Sequence, residues 1–558
     1  MTLQSKHSIR KWHKFRLCLF AFIMFAVVVI AQNAPTTQPD IRPQIPSADR
    51  YAQGRVFLEH ADVLKKAASD SFQILVGNVE FRRQDMYMFC DSAHFYDKSG
   101  SFKAFGDVRM EQGDTLFVYA DELDFDGTME IATLYADEGN KVRLINRDVT
   151  LETDKFEYDL TIDLGYYDVG GVLTDAQNRL ESIEGEYSPA TKDANFYNNV
   201  HLTGRSQNDT LNIYTDSLFY NTVSHIAAVS NRSEISNVNA TMFTMGGVYD
   251  TDRDTAYFDT RSLIVAKNGN TLWGDTIRYD HRSGIGEAFG NMILTDTTRH
   301  ISLNGSYGYY HQLIDSAYAT GHALVKEFSQ KDTLYLHARE IRSFLVRDSI
   351  IPDSGTVKVD TTHVIIANPR VRFYRVDIQG LCDSLSFQEK DSMLYMHYNP
   401  IIWSGNRQIF GNEIQVHFND STADWARLPQ FGFAAEHIDE EFYNQISGKK
   451  MFATFAENSI DHLDVEGNVQ VIVLPQESDS TFNKIFKVES SFMSADFKGK
   501  QIEKLKFWPE SNSEGYPLYL AKKSIYYLPK FRWYEILRPK NPDDVFNYPS
   551  EMDALTDF

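Results

Sequence analysis

The sequence has few cysteines and fewer basic than acidic residues. Its 558 residues include three cysteines, and two of these, Cys90 and Cys382, lie far apart in the body of the chain. We therefore expect both to be unpaired and buried, as free cysteines usually are, and we expect no disulfide framework. Lys and Arg number 55 against 77 Asp and Glu, so the net charge is −22. This acidity, without an evident basic patch, argues against nucleic acid as a partner.

Motifs of catalysis and cofactor binding are also missing. The chain has no phosphate-binding G-x-x-x-x-G-K-[ST] loop, no H-E-x-x-H and no G-x-S-x-G. Its 16 histidines are scattered, and no carboxylate pair stands out among the many acids. We therefore expect no catalytic residue, no metal, no cofactor and no enzyme activity. The least favoured alternative function is an enzyme with a solenoid fold, a stack of repeated strands, that cleaves carbohydrate with two carboxylates.

Long apolar runs are missing except at the N-terminus. Basic residues between positions 6 and 16 precede an apolar run of 15 residues, 17–31, which ends in Val29-Ile30-Ala31. This pattern is typical of a secretory signal, and the run is short for a spanning helix, which needs about 20 residues. We predict a signal peptide over 1–31, with an uncleaved anchor as the alternative, and a Pro- and Gln-rich linker over 32–50. Export would place the protein in the periplasm, with association to the inner or outer membrane left open.

The body of the chain repeats a short acidic phrase. "GDTLFVYADELDFD" at 113–126 returns as "NDTLNIYTDSLFY" at 208–220, "GNTLWGDTIRYD" at 269–280 and "KDTLYLHAREIRSF" at 331–344. The phrases follow a period of about 30 residues, with one longer gap that contains 347–360. Such a period indicates stacked repeats, and the extra segment predicts a hairpin insertion.

A second phrase lies between these and begins with a Gly or Asn turn. Examples are "LVGNVEF" at 75–81, "AFGDVRM" at 104–110, "FYNNVHL" at 196–202 and "VEGNVQV" at 465–471. Gly-Asn and Gly-Asp pairs favour tight turns, and the following residues alternate with the period of a strand. The pattern predicts an all-β chain, with short helices allowed only near 62–68 and 435–445. We expect repeats over 51–418, a continued β-rich region over 419–515 and an aromatic, basic tail over 516–558.

The ordered pair of phrases resembles the OstA family, which includes the LptA-type periplasmic lipopolysaccharide-transport proteins and the N-terminal region of the outer-membrane assembly protein LptD. The residues that carry the resemblance are Gly106-Asp107-Val108 through Ala120-Asp121, with 199–220 as a second copy. The resemblance implies an elongated, solenoid-like β-jellyroll. It also implies lipopolysaccharide as the ligand, other jellyroll-bearing transport components as partners at the two ends, and a role in outer-membrane assembly.

An amphiphile carrier needs an apolar trough, and strand alternation places apolar side chains on one inner surface. The candidate lipid contacts are Val79, Phe81, Val108, Met110, Leu116, Val118, Leu123, Phe125, Val200, Leu202, Leu211 and Ile213. The residues alone are equally consistent with a closed solenoid whose core these side chains fill. In that case the protein would be an exported scaffold or adhesin.

Overall fold

The structure is a computed structural model that describes residues 55–66, 71–206, 209–350, 358–419, 422–456, 459–477, 481–498 and 501–549. The chain divides into two units, Met1–Arg55 and Val56–Phe558. The second unit is described below. The predicted signal peptide and linker, together with Cys18, lie outside the described residues.

The described residues form 45 strands and five short 3-10 turns. The strands of the first half are β1 (Phe57–His60), β2 (Val63–Lys66), β3 (Gln73–Arg83), β4 (Met86–Tyr96), β5 (Ser101–Gln112), β6 (Leu116–Asp126), β7 (Ile131–Tyr135), β8 (Val142–Asn146), β9 (Val149–Thr153), β10 (Lys155–Asp159), β11 (Leu164–Tyr167), β12 (Gly171–Thr174), β13 (Asn178–Ser182), β14 (Glu184–Tyr187), β15 (Asp193–Ser206), β16 (Asp209–Asn221), β17 (Ile226–Val229), β18 (Ser233–Ser236), β19 (Ala240–Thr244), β20 (Gly247–Asp250), β21 (Thr255–Phe258), β22 (Ser262–Ala266), β23 (Thr271–Gly274), β24 (Thr276–Asp280), β25 (Ile285–Asp296), β26 (Ile301–His311) and β27 (Ser316–Thr320).

The remaining strands carry the chain to residue 517. They are β28 (Leu324–Glu327), β29 (Leu334–His337), β30 (Glu340–Ile350), β31 (Lys358–Asn368), β32 (Val371–Arg375), β33 (Ile378–Cys382), β34 (Ser384–Gln388), β35 (Met393–His397), β36 (Ile401–Ser404), β37 (Arg407–Gly411), β38 (Glu413–Asn419), β39 (Thr422–Leu428), β40 (Gly432–Asp439), β41 (Phe442–Gly448), β42 (Lys450–Ala456), β43 (Ser459–Val473), β44 (Lys484–Lys498) and β45 (Gln501–Pro517). The 3-10 turns are Gln312–Ile314, Leu518–Leu520, Lys523–Ile525, Glu535–Leu537 and Pro542–Phe546.

The strands form two walls that share one corner. Long strands such as β3 and β5 run through both walls, whereas elsewhere two short strands take their place. Wall 1 begins with β1 and continues through segments 79–83, 86–89 and 108–112, whereas wall 2 begins with β2 and continues through segments 73–76, 92–96, 101–105 and 122–126. All pairings are antiparallel, and one apolar core joins the inner faces of both walls. The prediction of an all-β jellyroll built from repeats of about 30 residues is confirmed.

The Gly-Asn and Gly-Asp pairs lie at the corner. Gly77 and Asn78 have φ of 83° and 45°, Gly290 and Asn291 have 69° and 43°, and the strand register shifts at both pairs. Only residues that tolerate a positive φ can make this change of wall. The expectation of tight turns between strands was therefore wrong, because these pairs are bulges inside continuous strands. A tight turn and a bulge of this kind both need residues that tolerate a positive φ, so the same Gly-Asn and Gly-Asp pairs are typical of either.

Recurrent aspartates fasten the corner bulges to the neighbouring strand. Asn78 Nδ2 donates to Asp62 Oδ2 at 3.0 Å, and Asn291 Nδ2 donates to Asp275 Oδ2 at 2.6 Å. Each aspartate precedes or ends a strand and accepts from the bulge of the next long strand. At these positions the acidic residue has a structural role, because it satisfies polar groups that the change of wall leaves exposed.

Other local predictions have mixed outcomes. Cys90 and Cys382 are free and buried, as expected. The insertion at 347–360 is confirmed as part of a hairpin, since β30 pairs with β31 out to Ile350 opposite Lys358. The helices allowed near 62–68 and 435–445 are wrong, because β2 occupies 63–66 and the β40–β41 hairpin occupies the second region. Pairing with neighbouring strands outweighed the weak helical pattern there.

Candidate functional site

One row of inner side chains on wall 2 crosses the whole molecule through directly paired residues. In its first part large and small residues alternate, so neighbouring side chains interdigitate and leave no space between them. This part runs Tyr158, Gly165, Tyr187, Ala194, Tyr220, Ala227, Tyr249, Ala256, Tyr279, Gly286, Tyr310 and Ala317. We call residues 56–320 the closed half, because their inner side chains are buried.

Hydrogen bonds from wall 1 hold three of these tyrosines, Tyr187, Tyr220 and Tyr310. Asn178, at the free edge of wall 1, donates from Nδ2 to the Tyr220 hydroxyl at 2.7 Å, and that hydroxyl donates to Asp175 at 2.6 Å. Asn146 donates to Tyr187 at 3.2 Å. Asn268 and Asn270 donate to Tyr310 at 3.0 and 3.2 Å. We call these contacts the tyrosine ladder. They join the two walls along their free edges, by which we mean the strand ends opposite the corner.

Burial also changes the acidity of the tyrosines. Desolvation raises the pKa of Tyr187 to about 12, and the bonds from Thr222 and Asn146 only partly oppose this. Desolvation and the Asp175 carboxylate both raise the pKa of Tyr220. The hydroxyls are therefore neutral at pH 7 and act as hydrogen-bonding groups that close the jellyroll.

The candidate lipid contacts predicted from the sequence all lie inside the closed half. Ten come from wall 1 and two, Leu123 and Phe125, come from wall 2. Each is at most 6% exposed and belongs to the apolar core. The alternation therefore identified inner positions, but here their side chains fill the space between the walls. Their role as lipid contacts stays a prediction, and it requires the closed half to open.

Beyond residue 324 the same row changes its chemistry. It continues through Ser343, Ile365, Phe387, Leu394 and Val416, and four of these five are half-buried, the exception being Val416. The facing row on wall 1 is also apolar and largely half-buried: Val325, Leu336, Phe373, Gly380, Ile402, Ile409, Ala434, Ile446 and Val471. We call residues 325–507 the open half.

From this burial pattern we infer that the open half contains an apolar groove with a buried floor. Nearer the corner, the wall-2 side chains are buried: Ile341, Ala367, Leu385, Met396 and Ile414. Toward the free edges the side chains are half-exposed, so apolar surface is accessible from the space between the walls. Such surface is costly in water and marks a site for an apolar ligand. This groove is the candidate functional site.

The outer face of wall 1 in the open half is covered by residues 518–549, which we call the strap. Gln445 donates to the Tyr526 carbonyl at 2.7 Å and accepts from Leu528 N at 2.9 Å. Gln408 makes the same pair of bonds to Arg532 O and Tyr534 N, at 2.8 and 2.7 Å. The glutamine amides thus pair with the strap as a neighbouring backbone would.

A second apolar cluster lies beneath the strap. It joins wall-1 outer residues such as Trp403, Phe410 and Phe433 to Leu528 and Leu537 of the strap. Arg538 continues the contact by donating from Nε to Gln379 Oε1 at 2.8 Å. Both faces of wall 1 are therefore apolar here, and the strap covers the outer one.

The sequence carries a signal for the tyrosine ladder and another for the strap contacts. The tyrosines recur at 158, 187, 220, 249, 279 and 310, close to the repeat period, and their loss after 310 marks the change to the open half. Gln379, Gln408 and Gln445 recur at intervals of 29 and 37 residues. Neither signal identifies its partner, because the partners lie up to 159 residues away.

Within the described ranges, no group of three or more His, Cys, Asp or Glu side chains is arranged to hold a metal ion. No helix in that part of the chain is long and apolar enough to cross a membrane.

Comparisons with known proteins relate part of the chain to one family. A search of curated proteins found no match. One matching solved structure is titled "Crystal structure of LptH, the LptA homologous periplasmic component of the conserved lipopolysaccharide transport device from Pseudomonas aeruginosa". It is 11% identical, covers 25% of this chain and 93% of the other, and has a TM-score of 0.19. A family model described as "OstA-like protein" matches residues 53–206 and 203–285. Residues 53–285 are therefore similar to the OstA-like family.

Proposed function

We propose that this protein is a non-enzymatic periplasmic carrier that binds the acyl chains of lipopolysaccharide in the groove of the open half and helps move it to the outer membrane. The observation that carries the proposal is the change in the inner row of wall 2, from buried, hydrogen-bonded tyrosines to half-exposed Ile365, Phe387 and Leu394. The similarity of residues 53–285 to the OstA-like family supports the same ligand class.

The groove suits an acyl chain energetically. Each methylene removed from water contributes about 0.8 kcal/mol, so a long chain needs only a continuous apolar surface. Directly paired inner residues of successive strands provide that surface, since their side chains lie side by side across the wall. Specific polar contacts are not needed for this part of the ligand, so the proposal requires no binding motif in the sequence.

Photo-crosslinking in living cells tests the proposal. A photoreactive residue would replace Leu394 or Ile365 on the inner face, with Tyr395, which is on the opposite face of β35, as the matched control. We expect lipopolysaccharide adducts at Leu394 and Ile365 and none at Tyr395. A second pair, Val118 with Tyr119, examines the closed half in the same way.

The outcomes separate the alternatives. Adducts at Val118 without adducts at Leu394 would contradict the groove and indicate that the closed half opens. A folded protein without adducts at any inner position would contradict lipid carriage and favour the scaffold or adhesin. Recovery of trimmed polysaccharide products from the purified protein would instead favour a carbohydrate-cleaving enzyme.

We also propose that other jellyroll-bearing components dock at the two ends of the sheet. Among the described strands, β45 pairs only with β44, and most of its residues, including Leu505 and Trp508, are exposed. At the other end β1 and β2 pair only with β3, and Leu64 is 56% exposed. Unpaired edges of this kind bind another strand through the backbone.

Site-directed crosslinking also tests this docking. A photoreactive residue at Leu505 or Leu64 should yield adducts with another protein chain, whereas one at Tyr214, exposed in mid-sheet, should not. Equal protein adducts at all three positions would contradict docking at the ends.

A further inference from the structure

A cavity of about 350 Å³ lies where the end of the strap crosses wall 1. Three arginines line it, Arg339, Arg370 and Arg372, together with two histidines, His322 and His337. In a chain with a net charge of −22, this is a marked local concentration of positive charge. Such a cavity attracts anions, because low-dielectric walls focus the field of the charges that line it.

Two acidic groups lie near these arginines. The strap carboxylate Asp544 acts on Arg372, which is 2% exposed. Burial lowers the pKa of Arg372, and Asp544 opposes that shift. Asp383 Oδ1 accepts the backbone N–H of Arg370 at 3.3 Å. Arg372 is thus a buried cation in the lining of the cavity, and a buried cation is stabilised by nearby anions.

Aromatic side chains of the strap hold the basic groups in place. The Arg370 guanidinium lies 4.1 Å from the centre of the Tyr548 ring. The Phe546 ring centre is 4.8 Å from that of His337 and 5.9 Å from that of His322. The cavity is therefore formed jointly by wall 1, the corner and the strap, and its basic groups are ordered before a ligand arrives.

We propose that this cavity binds a phosphate group. The planar guanidinium presents paired N–H donors that match phosphate oxygens, and several arginines together suit a doubly charged anion better than a single carboxylate. The cavity is larger than one small anion needs, so it also accommodates a phosphate that is attached to a sugar. The phosphate is therefore either free inorganic phosphate or part of a phosphorylated lipid headgroup.

Calorimetric titration of the full chain with inorganic phosphate tests the site. We expect one saturable site, weakened at least tenfold by the double substitution Arg339→Gln with Arg370→Gln and only partly restored by Lys at the same two positions, because Lys returns the charge but not the paired donors. Arg347→Gln, which removes an exposed arginine elsewhere, should leave binding unchanged. A chain that ends at Lys540 lacks Phe546 and Tyr548 and should also bind at least tenfold more weakly. Thermal unfolding of each variant checks that it is folded.

Competition distinguishes the two sources. Lipopolysaccharide and its dephosphorylated form would each be titrated into the wild-type chain and the double variant. A phosphate-dependent difference that disappears in the double variant identifies the lipid headgroup, whereas saturable binding of inorganic phosphate alone identifies the free ion. No saturable binding from either source, or binding equally weakened by Arg347→Gln, would overturn the proposal. The inference does not depend on lipid carriage, because inorganic phosphate is a sufficient probe.

Discussion

The closed half and the open half are built from the same repeat but are stabilised from opposite sides. In the closed half the tyrosine ladder crosses the interior and joins the free edges of the walls. In the open half the glutamines lie on the outer face of wall 1 and bind the strap. A two-walled jellyroll thus either fills its interior or leaves it accessible, according to where its buried hydrogen bonds lie.

The comparison also accounts for the strap. In the closed half, the inner side chains of wall 1 pack against those of wall 2. The outer face of wall 1 carries surface pairs there, such as the Arg109 guanidinium 4.6 Å from the centre of the Phe89 ring. In the open half most inner side chains of wall 1 are less buried than in the closed half. The strap instead packs against the outer face of wall 1. Wall 1 is stabilised by this contact, so its stability does not depend on a filled interior.

Removal of the strap should have the largest effect. A chain that ends at Pro517 exposes Trp403, Phe410 and Phe433, each 0–1% exposed in the structure. At about 1.5–3 kcal/mol per side chain, their exposure costs about 5–9 kcal/mol before the entropy of ordering the strap is subtracted. Limited proteolysis with mass spectrometry should show cleavage within 325–517 and survival of 56–320.

The matched control for this deletion is a chain that ends at Pro549, which retains the whole described strap. It should resist protease like the full chain. Equal loss of both halves on removal of the strap would contradict the separation between them.

Gln408→Met should have the next largest effect. The substitution keeps the volume but leaves Arg532 O, Tyr534 N and the Trp403 indole without the amide they contact. Buried groups that lose a partner cost about 1–3 kcal/mol each, and we expect about 3 kcal/mol in total. Hydrogen exchange should rise at 532–534 and remain unchanged in the closed half. Gln470→Met, on the same face but beyond the strap contacts, should change exchange little.

Tyr220→Phe is the corresponding test in the closed half. Loss of the hydroxyl removes one buried hydrogen bond from each of Asp175 and Asn178, at a cost of about 1–3 kcal/mol. Exchange should rise at 175–178, and the strap should be unaffected. Tyr214→Phe, whose side chain is 48% exposed on the outer face, is the control. Faster exchange in the strap would mean that the halves are coupled.

The sequence predicted the repeat and the inner face, but not the difference between the halves. Strand alternation is local, so Val118 and Ile213 could be assigned to the inside from their neighbours alone. Closure depends on pairs such as Asn146 with Tyr187, which are 41 residues apart and meet only when the walls are assembled. The strap likewise reads as an aromatic, basic tail until Gln408 and Gln445 are seen beneath it. Local patterns therefore predicted the fold, whereas the groove depended on long-range partners.

The smallest predicted effect is a selective loss of closed-half stability in alkali. The pKa of Tyr187 is about 12 in the folded protein against 10.0 for the unperturbed group. Because the folded value is raised, its contribution is complete below pH 10 and falls as pH rises from 10 toward 12. At pH 11 the loss should be about 1.4 kcal/mol for this residue. Urea unfolding followed by hydrogen exchange at pH 9 and pH 11 should show the loss around Tyr187 and Asn146, and Tyr187→Phe should reduce it. An equal loss in the open half, where this row carries no tyrosine, would show that general charge repulsion rather than the tyrosine ladder sets the alkaline limit.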